Sequence, residues 1–288
     1  MASNKKFSIL INSCDLYSDL WVPLLTSFEK HWKNIESIKI IINTEKKIFY
    51  SKSFTKLQFS NYDNPCWGSR LLNAINNIDD EFIIMLFDDF FLNKDIDNSF
   101  LELYLNKIFS DQNVAAIYLE KITEHPGIVN ERLIKENSYS DLLIHLPKNM
   151  KYRLNTAPAI WRKSALKKYT KKNDTPWSWE LFGSLRTIRD EGFYCANTKD
   201  NIISYYNNGG AGGVVHRGLW AKGAPLWIKN NLGLDVLSGS FRLEENNQSV
   251  NKRSFLWKLN FIITGLRSAG IRALLLILSM YIDKFRKK

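Results

Sequence analysis

Continuous apolar runs alternate with amphipathic segments in the first 120 residues of the chain. Phe7–Asn12 and residues 38–42 are apolar runs of the length that buried strands have. Between them, large apolar side chains recur every four residues on one helical face, at Leu20, Leu24, Phe28 and Trp32. A strand, a helix and a strand in this order predict a parallel βαβ unit, and therefore an α/β protein.

The same alternation continues to residue 119. The continuous apolar run Phe82–Phe87 predicts a buried strand, and it stops at Asp88 and Asp89. Residues 99–109 are predicted to form a helix, and residues 114–119 a further strand. A helical face precedes the Phe82–Phe87 run, at Trp67, Leu71, Ala74, Ile75 and Ile78.

The pattern is weaker in the second half of the chain. Residues 120–150 show little periodicity, and we interpret them as an irregular insertion. Residues 160–169 and 178–192 are predicted to be helical, and Phe193–Ala196 and residues 202–206 are predicted strands. A flexible loop is predicted after these strands, because glycines cluster there, at Gly209, Gly210, Gly212 and Gly213.

The composition is that of a globular protein with a sizeable core. Of the 288 residues, 45% are hydrophobic and 24% are charged, so we expect one large domain, or one domain with an appendage. Cys14, Cys66 and Cys195 lie far apart, which argues against a disulfide framework or a cysteine metal site and indicates a reducing compartment. The N-terminal apolar run is too short for the core of a signal peptide.

The adjacent carboxylates Asp88 and Asp89 are the most informative feature of the sequence. Ligands of open parallel sheets bind at the carboxyl ends of strands, where these residues are predicted to lie. Two neighbouring carboxylates repel each other unless a cation lies between them, and Mg²⁺ and Mn²⁺ prefer oxygen ligands shared with phosphates. A metal at this position would stabilise a diphosphate leaving group. The alternative is that the pair caps a helix or marks a turn.

Several segments, taken in order, resemble bacterial glycosyltransferases of the GT-A fold, in particular those of capsule and O-antigen (lipopolysaccharide) polysaccharide synthesis. The similar segments lie within residues 5–225, at residues 67–71, 82–92, 152–154, 157–163 and 175–184. The resemblance implies a GT-A-like, Rossmann-like α/β fold with a mixed, mostly parallel central sheet flanked by helices. It implies a domain over residues 1–250, with a donor half at about 1–120 and an acceptor half at about 150–250.

The resemblance also implies roles for individual residues. Asp88 and Asp89 match the Asp-x-Asp-type acids that hold a divalent metal, Mn²⁺ or Mg²⁺, and the nucleotide-sugar donor, for which a UDP-sugar is expected. In this chain the two acids are adjacent instead of spaced. Other positions match residues that contact the donor or complete the metal site: Ser13, Asp15, Trp67 and Arg70 for the donor, and His216 for the metal.

A tryptophan-rich segment supplies candidates for the acceptor side of the site. Aromatic faces stack on the apolar faces of sugar rings, so Trp177 and Trp179 are candidates for an acceptor platform. Burial beside tryptophan raises the pKa of a carboxyl group, and Glu180 is therefore the candidate general base of an inverting transfer. Asp174 is the next candidate. The alternative is that Glu180 only stabilises the N-terminus of a helix.

The C-terminal segment, residues 251–288, has its own composition. A polar stretch near Asn246 precedes it, and between Val250 and Lys288 nine Lys and Arg residues face a single acid, Asp283. Its two apolar segments are too short to span a bilayer. We expect an amphipathic helical tail on the anionic inner face of the cytoplasmic membrane, where the enzyme would meet a glycan or lipid-linked acceptor. The alternatives are a helix packed on the body and a partner-binding helix.

Two other function classes remain open. A sugar-phosphate nucleotidyltransferase would share the α/β architecture and the metal site, but should have a glycine-rich basic loop after the first strand, where residues 13–17 supply none. A non-catalytic membrane-surface protein would explain the basic pI of about 9.4. Nucleic acid is not expected as a partner, because the positive charge is concentrated in the tail.

Overall fold

A computed structural model of the chain describes residues 6–122, 138–140, 142–197, 202–207, 213–216, 218–237, 242–243 and 254–286. Its strands are β1 Phe7–Asn12, β2 Lys39–Thr44, β3 Leu57–Asn61, β4 Phe82–Phe87, β5 Ala116–Tyr118, β6 Ser138–Ser140, β7 Leu143–His145, β8 Ala159–Arg162, β9 Phe193–Ala196, β10 Val215–His216, β11 Leu219–Trp220 and β12 Arg242–Leu243. Within the described residues, nine of them form one sheet in the order β3-β2-β1-β4-β8-β5-β9-β7-β6, and β10, β11 and β12 form a small second sheet.

The large sheet is mostly parallel around β1. Strand β1 pairs in parallel with β2 and β4, and β3 extends the parallel group beyond β2. Strand β8 is antiparallel to both β4 and β5, so β4 and β5 point in the same direction, as does β9. The central strands are mostly apolar and buried because both faces of the sheet are covered by helices, as parallel sheets require.

Helices cover both faces of the sheet and bury one apolar layer on each. The helices are α1 Trp21–His31, α2 Trp67–Asn76, α3 Asn98–Ser110, α4 Lys163–Tyr169, α5 Pro176–Ser184, α6 Ala224–Leu232, α7 Phe255–Ala269 and α8 Ile271–Arg286. One layer contains side chains of α1, α3 and α6, and the other contains side chains of α2, α4 and α5. The sheet is therefore the middle of a three-layer α/β/α arrangement.

The periodicity of the first half of the chain predicted most of its elements correctly, but it did not predict strand β3. Leu20, Leu24, Phe28 and Trp32 are all buried along α1, and β4 and α2 lie where the apolar pattern places them. Local capping also matches the sequence. Helix α3 begins after Asp97, whose Oδ1 accepts the backbone N–H of Ser99 at 2.9 Å.

Four predictions for the second half were wrong, two of them only in part. The helix predicted for residues 160–169 is confirmed only over Lys163–Tyr169, helix α4. Residues 160–162 belong to β8, because a short apolar run that is buried on both faces has no periodicity to mark it as a strand. The second predicted helix ends at Ser184, well short of residue 192. Residues 202–206 contribute only an isolated bridge, Leu92 to Tyr205. The expected irregular insertion contains β6 and β7, which pair with each other, and β7 also pairs with β9.

The C-terminal helices pack on the body through one side of α7. The rings of Phe261 and Phe182 lie 4.9 Å apart, and Gly265 lets α7 approach that ring closely. Ser268 fixes the same contact, because its carbonyl accepts Lys171 Nζ at 2.7 Å and its hydroxyl accepts Arg186 Nη2 at 2.9 Å. Among the described helices, none combines the length and hydropathy needed to cross a bilayer.

Candidate functional site

The carboxyl ends of β1, β2, β4 and β5 lie at one edge of the large sheet, called here the carboxyl edge. Asn12 at the end of β1 is in register with Asn43 on β2 and with Phe87 at the end of β4. The pairing continues beyond the strands, since Asp88 N–H donates to the Asn12 carbonyl at 3.2 Å. Ligands bind at such edges in α/β proteins, and the predicted aspartate pair lies there.

Asp88 is buried and held by a short chain of hydrogen bonds. Ser13 Oγ donates to Asp88 Oδ2 at 2.5 Å, and Ser13 Oγ accepts the indole N–H of Trp21 at 2.7 Å. Burial, and then the charge of Asp89, raise the pKa of Asp88 well above its usual value, although the Ser13 bond opposes this. Ser13, expected to contact the nucleotide, therefore positions Asp88 through its hydroxyl.

Asp89 is fixed by the backbone of Gly213, the last of the clustered glycines, and of Val214. Gly213 N–H donates to Asp89 Oδ2 at 3.3 Å, and Val214 N–H donates to the Asp89 carbonyl at 3.1 Å. A Cβ on residue 213 would lie 1.9 Å from the Asp89 carbonyl oxygen, so only glycine fits. Burial raises the pKa of Asp89 to about 6. Gly209, Gly210 and Gly212 lie outside the described residues.

The two carboxylates fit a divalent cation. Within the described residues, neither carboxylate forms an ion pair with a Lys or Arg side chain, so their charges remain uncompensated. A divalent cation of the oxygen-binding type would favour the ionised form of both carboxylates, and so offset the burial that raises both pKa values and the charge of Asp89 that raises the pKa of Asp88 further. No third His, Cys, Asp or Glu in this part of the chain joins them in a cluster of three. The His216 side chain, expected to complete the metal site, lies outside the described atoms.

Asp15 joins two loops at the carboxyl edge. Its Oδ1 accepts Thr44 Oγ1 at 2.6 Å and the backbone N–H groups of Lys46 and Lys47 at 3.0 and 2.9 Å. Burial alone would raise the pKa of Asp15, but these hydrogen bonds outweigh burial and lower it. The carboxylate expected to contact the nucleotide thus orders the loop after β2.

Arg70 and Trp67 lie under the same loop. Arg70 is buried, and its Nη1 forms an ion pair with Glu45 Oε1 at 2.8 Å. The other oxygen of Glu45 accepts the Asp15 N–H at 2.6 Å. Trp67 is also buried and stacks on Phe87 with ring centroids 6.3 Å apart. Both residues are therefore buried and pack against the residues of the carboxyl edge. Glu45 is a further polar residue of this region, and it was not predicted from the sequence.

Glu180 reaches the start of β8 from α5. Its Oε1 accepts the backbone N–H of Thr156 at 2.8 Å and the Thr156 hydroxyl at 2.6 Å. Burial raises the pKa of Glu180, while the Thr156 bonds lower it by a smaller amount. Strand β8 starts at the carboxyl edge between β4 and β5, so Glu180 is brought to the same edge as the aspartate pair.

The two tryptophans of α5 have different environments. Trp177 is 59% exposed, as an acceptor platform requires. Trp179 is fully buried against Trp67 and Trp161, so it cannot stack on a sugar, and its predicted role in substrate binding is corrected to a core residue. Asp174 is also buried, and both its oxygens bind Arg186 at 2.7 and 2.8 Å. This ion pair argues against Asp174 as a general base.

Glu120 and Tyr205 are residues near the site that the sequence analysis missed. Glu120 lies two residues after the end of β5, much as Asp88 lies directly after β4. An acid at the end of a strand was a signal for a site residue in the sequence, but β5 is a short strand. Tyr205 OH lies 3.4 Å from both Glu120 carboxylate oxygens. The Tyr205 ring stacks on Phe90, directly after Asp89, with centroids 4.4 Å apart.

Comparison with protein-family models found no match, and comparison with curated proteins found no significant relative. Among solved structures, TarS 1-349 from S. aureus matches with a TM-score of 0.52 and 12% identity, over 94% of this chain and 83% of that chain. Its complex with UDP gives the same values. Against another TarS structure the match covers 67% of this chain and 37% of that chain, with a TM-score of 0.43.

A more distant match is glucosyl-3-phosphoglycerate synthase from Mycobacterium tuberculosis in complex with Mn²⁺, UDP-glucose and phosphoglyceric acid. Its TM-score is 0.40 at 8% identity, over 66% of this chain and 67% of that chain. The TarS 1-349 match spans nearly the whole of the present chain, and at 12% identity it reports on the fold. The chain therefore has a GT-A-like fold, with a mostly parallel sheet flanked by helices and two further helices at its C-terminus.

Proposed function

We propose that this protein is a metal-dependent glycosyltransferase that moves a sugar from a nucleotide-sugar donor to a glycan or lipid-linked acceptor. The observation that carries the proposal is the uncompensated pair Asp88 and Asp89 at the carboxyl end of β4. Two neighbouring carboxylates, of which Asp88 is buried and Asp89 partly buried, are costly for a fold, and a divalent cation held by both would offset that cost. The role in capsule or O-antigen synthesis rests on the sequence resemblance.

Asp88 and Asp89 would hold the metal, Mn²⁺ or Mg²⁺. When bound, the metal supplies Lewis-acid stabilisation of the diphosphate that leaves as the sugar bond breaks. The chain's contribution is to fix the ligands: Trp21 and Ser13 orient Asp88, and the Gly213 amide orients Asp89. These bonds exist before any ligand arrives, so little reorganisation is needed.

Glu180 is the proposed general base of an inverting transfer. It lies at the same edge as the aspartate pair, and burial raises its pKa towards the range in which a carboxylate accepts a proton effectively. Both hydrogen bonds from Thr156 reach Oε1, and Oε2 would accept the proton of the acceptor hydroxyl. The exposed ring of Trp177, three residues earlier on α5, is the proposed platform for the acceptor sugar.

A UDP-sugar is the proposed donor. TarS 1-349, whose fold this chain has, is described in complex with UDP. The loops after β1 and β2, joined by Asp15 and Glu45, lie beside Asp88 and are the proposed nucleotide-binding surface. Arg70 and Trp67 would support that surface, with the Arg70 charge balanced by Glu45.

The C-terminal helices are proposed to rest on an anionic membrane surface at the inner face of the cytoplasmic membrane. One side of α7 packs on α5, but a row of large apolar side chains remains exposed on both helices: Leu256, Leu259, Ile263, Leu266, Ile271, Leu274, Leu275 and Leu278. Exposed basic side chains accompany them, at Lys258, Arg267 and Arg272. Apolar and basic groups on one helix pair suit the bilayer interface.

The proposal is tested by turnover of a panel of nucleotide sugars with and without Mn²⁺. The wild-type protein should release nucleoside diphosphate from at least one donor only with the metal. Glu180→Gln should lower that turnover by about 100-fold or more, because the base is removed. Glu102→Gln, an exposed acid on α3, is the matched control and should turn over normally. Failure of every donor, or an unaffected Glu180→Gln variant, would contradict the proposal.

A further inference from the structure

Glu120 is a partly buried carboxylate whose hydrogen-bonding capacity is largely unused. Its contacts with Tyr205 OH are both 3.4 Å, longer than the 2.5–3.0 Å typical of an O–H···O bond. Among the described residues, it forms no ion pair with a Lys or Arg side chain. Burial raises the pKa of Glu120 to about 7, which reflects this lack of compensation. A group in this state is suited to a ligand that supplies hydrogen-bond donors.

Tyr205 ties Glu120 to the segment that carries the aspartate pair. Its ring stacks on Phe90 at 4.4 Å with an interplanar angle of 25°, and its backbone forms a bridge with Leu92. The next residue, Tyr206, donates its N–H to the Phe91 carbonyl at 2.8 Å. Burial, and then the charges of Glu120 and Asp89, raise the pKa of Tyr205, so both acids lie within electrostatic range of the phenol.

The strand order gives the spacing along the carboxyl edge. Strand β8 separates β4 from β5, so the strand that precedes Glu120 lies two positions from the strand that precedes Asp88. Two strand spacings are about 10 Å. Glu120 is therefore too far along the edge to join the aspartates as a third metal ligand, in agreement with the lack of a three-group cluster in the described part of the chain.

We propose that Glu120 and Tyr205 form a subsite that binds the hydroxyl groups of a sugar, beside the metal-binding aspartates. The inference rests on the proposed glycosyltransferase function and deepens it. Two carboxylate oxygens can accept two hydroxyl groups of a pyranose ring in charge-assisted hydrogen bonds. Tyr205 is a positioning residue, because its ring is fixed by Phe90 and its hydroxyl faces the carboxylate.

The sugar could belong to the donor or to the acceptor, and binding measurements separate the two. The probes are UDP, a panel of UDP-hexoses with Mn²⁺, and a panel of defined oligosaccharides as acceptors. Glu120→Gln keeps the shape of the side chain and removes its charge, and Tyr205→Phe keeps the stacked ring. Glu102→Gln is the matched control.

The Kd of UDP should stay within about twofold in Glu120→Gln, because the subsite contacts only sugar. If the donor sugar occupies the subsite, the Kd of the UDP-hexose that wild type binds best should rise about 10- to 100-fold. If the acceptor occupies it, that Kd should stay unchanged and the KM for the acceptor should rise by the same factor. Tyr205→Phe should give a smaller change in the same parameter.

Thermal melting separates recognition from structural support. Glu120→Gln removes an uncompensated buried charge, so its Tm should equal or exceed that of the wild type while sugar binding weakens. Unchanged donor Kd and acceptor KM in Glu120→Gln would overturn the subsite while leaving the proposed function intact. An equal loss of UDP and UDP-hexose affinity would also overturn it. A wild-type protein that binds no UDP with Mn²⁺ would overturn both.

Discussion

At the residue scale, the site is defined by three acids that form no ion pair with a Lys or Arg side chain among the residues that the structure describes. Asp88 is buried and bonded to Ser13, Asp89 is bonded to Gly213, and Glu120 has only long contacts with Tyr205. By contrast, Asp174 and Glu45 are neutralised by arginines. This difference supports the proposal that Asp88, Asp89 and Glu120 bind a ligand, whereas Asp174 and Glu45 stabilise the fold.

The aspartate pair should make the stability of the metal-free protein depend on pH. The folded-state pKa of Asp89 is about 6 and that of Asp88 is also raised, against 3.8 in the unfolded chain. The folded protein therefore holds protons that the unfolded chain has lost, and stability falls as pH rises from about 4 through 6. We expect Tm to fall by several degrees between pH 5 and 7.5.

Two variants and the metal supply the controls for that melting experiment. Asp88→Asn and Asp89→Asn should each flatten the fall in Tm, since each removes one of the repelling charges. Mn²⁺ at pH 7.5 should raise Tm in the wild type and have little effect in either variant. A wild-type pH profile that matches those of both variants would show that the pair carries no uncompensated charge.

At the element scale, one side of α5 packs in the core and the other side is exposed at the proposed site. Residues two apart on a helix point to different sides, so Trp177 is exposed while Trp179 lies in the core. Thr175 caps the helix, with its Oγ1 accepting the Ser178 N–H at 3.2 Å. The helix also supports α7 through Phe182.

Substitution of the two tryptophans should separate these roles. Trp179→Ala leaves a cavity among Trp67 and Trp161 and should destabilise the protein by about 3–5 kcal/mol in denaturant unfolding. Trp177→Ala should change stability by less than about 1 kcal/mol and raise the KM for the acceptor. Equal destabilisation by the two substitutions would contradict the assignment of sides.

The sequence predicted elements well where periodicity is clear and poorly where it is not. Helices α1 and α2 have one apolar face each, and β4 is an apolar run followed by charge, so all three were recognised. Strand β8 is as apolar as a buried helix and was missed. Within the site, Asp88 was found from its position after β4, whereas the pairing of Glu120 with Tyr205 joins residues 85 positions apart. No local pattern encodes such a contact.

At the scale of the whole molecule, the exposed apolar rows of α7 and α8 distinguish the tail from the body. Ile271→Glu combined with Leu275→Glu places charge on the exposed row without touching the contact of α7 with α5. Binding to vesicles that contain phosphatidylglycerol should weaken about tenfold or more in sedimentation, because burying each side chain in the interface contributes more than 1 kcal/mol.

Leu226→Glu is the matched control for the vesicle experiment, since Leu226 is 64% exposed on α6, away from the tail. It should bind as the wild type does. Wild-type binding to phosphatidylglycerol vesicles should also fall at high salt, because exposed basic groups contribute. Equal binding by the tail variant and the control would contradict the membrane role of the helices.

The central claim is that the carboxyl edge binds a nucleoside diphosphate through a metal held by Asp88 and Asp89. Calorimetric titration of UDP with Mn²⁺ and then with EDTA tests it most directly. The account predicts that the wild type binds UDP with Mn²⁺, and that EDTA or Asp89→Asn weakens binding by at least about tenfold. UDP binding that is the same with Mn²⁺, with EDTA and in Asp89→Asn, or no UDP binding under any condition, would contradict it.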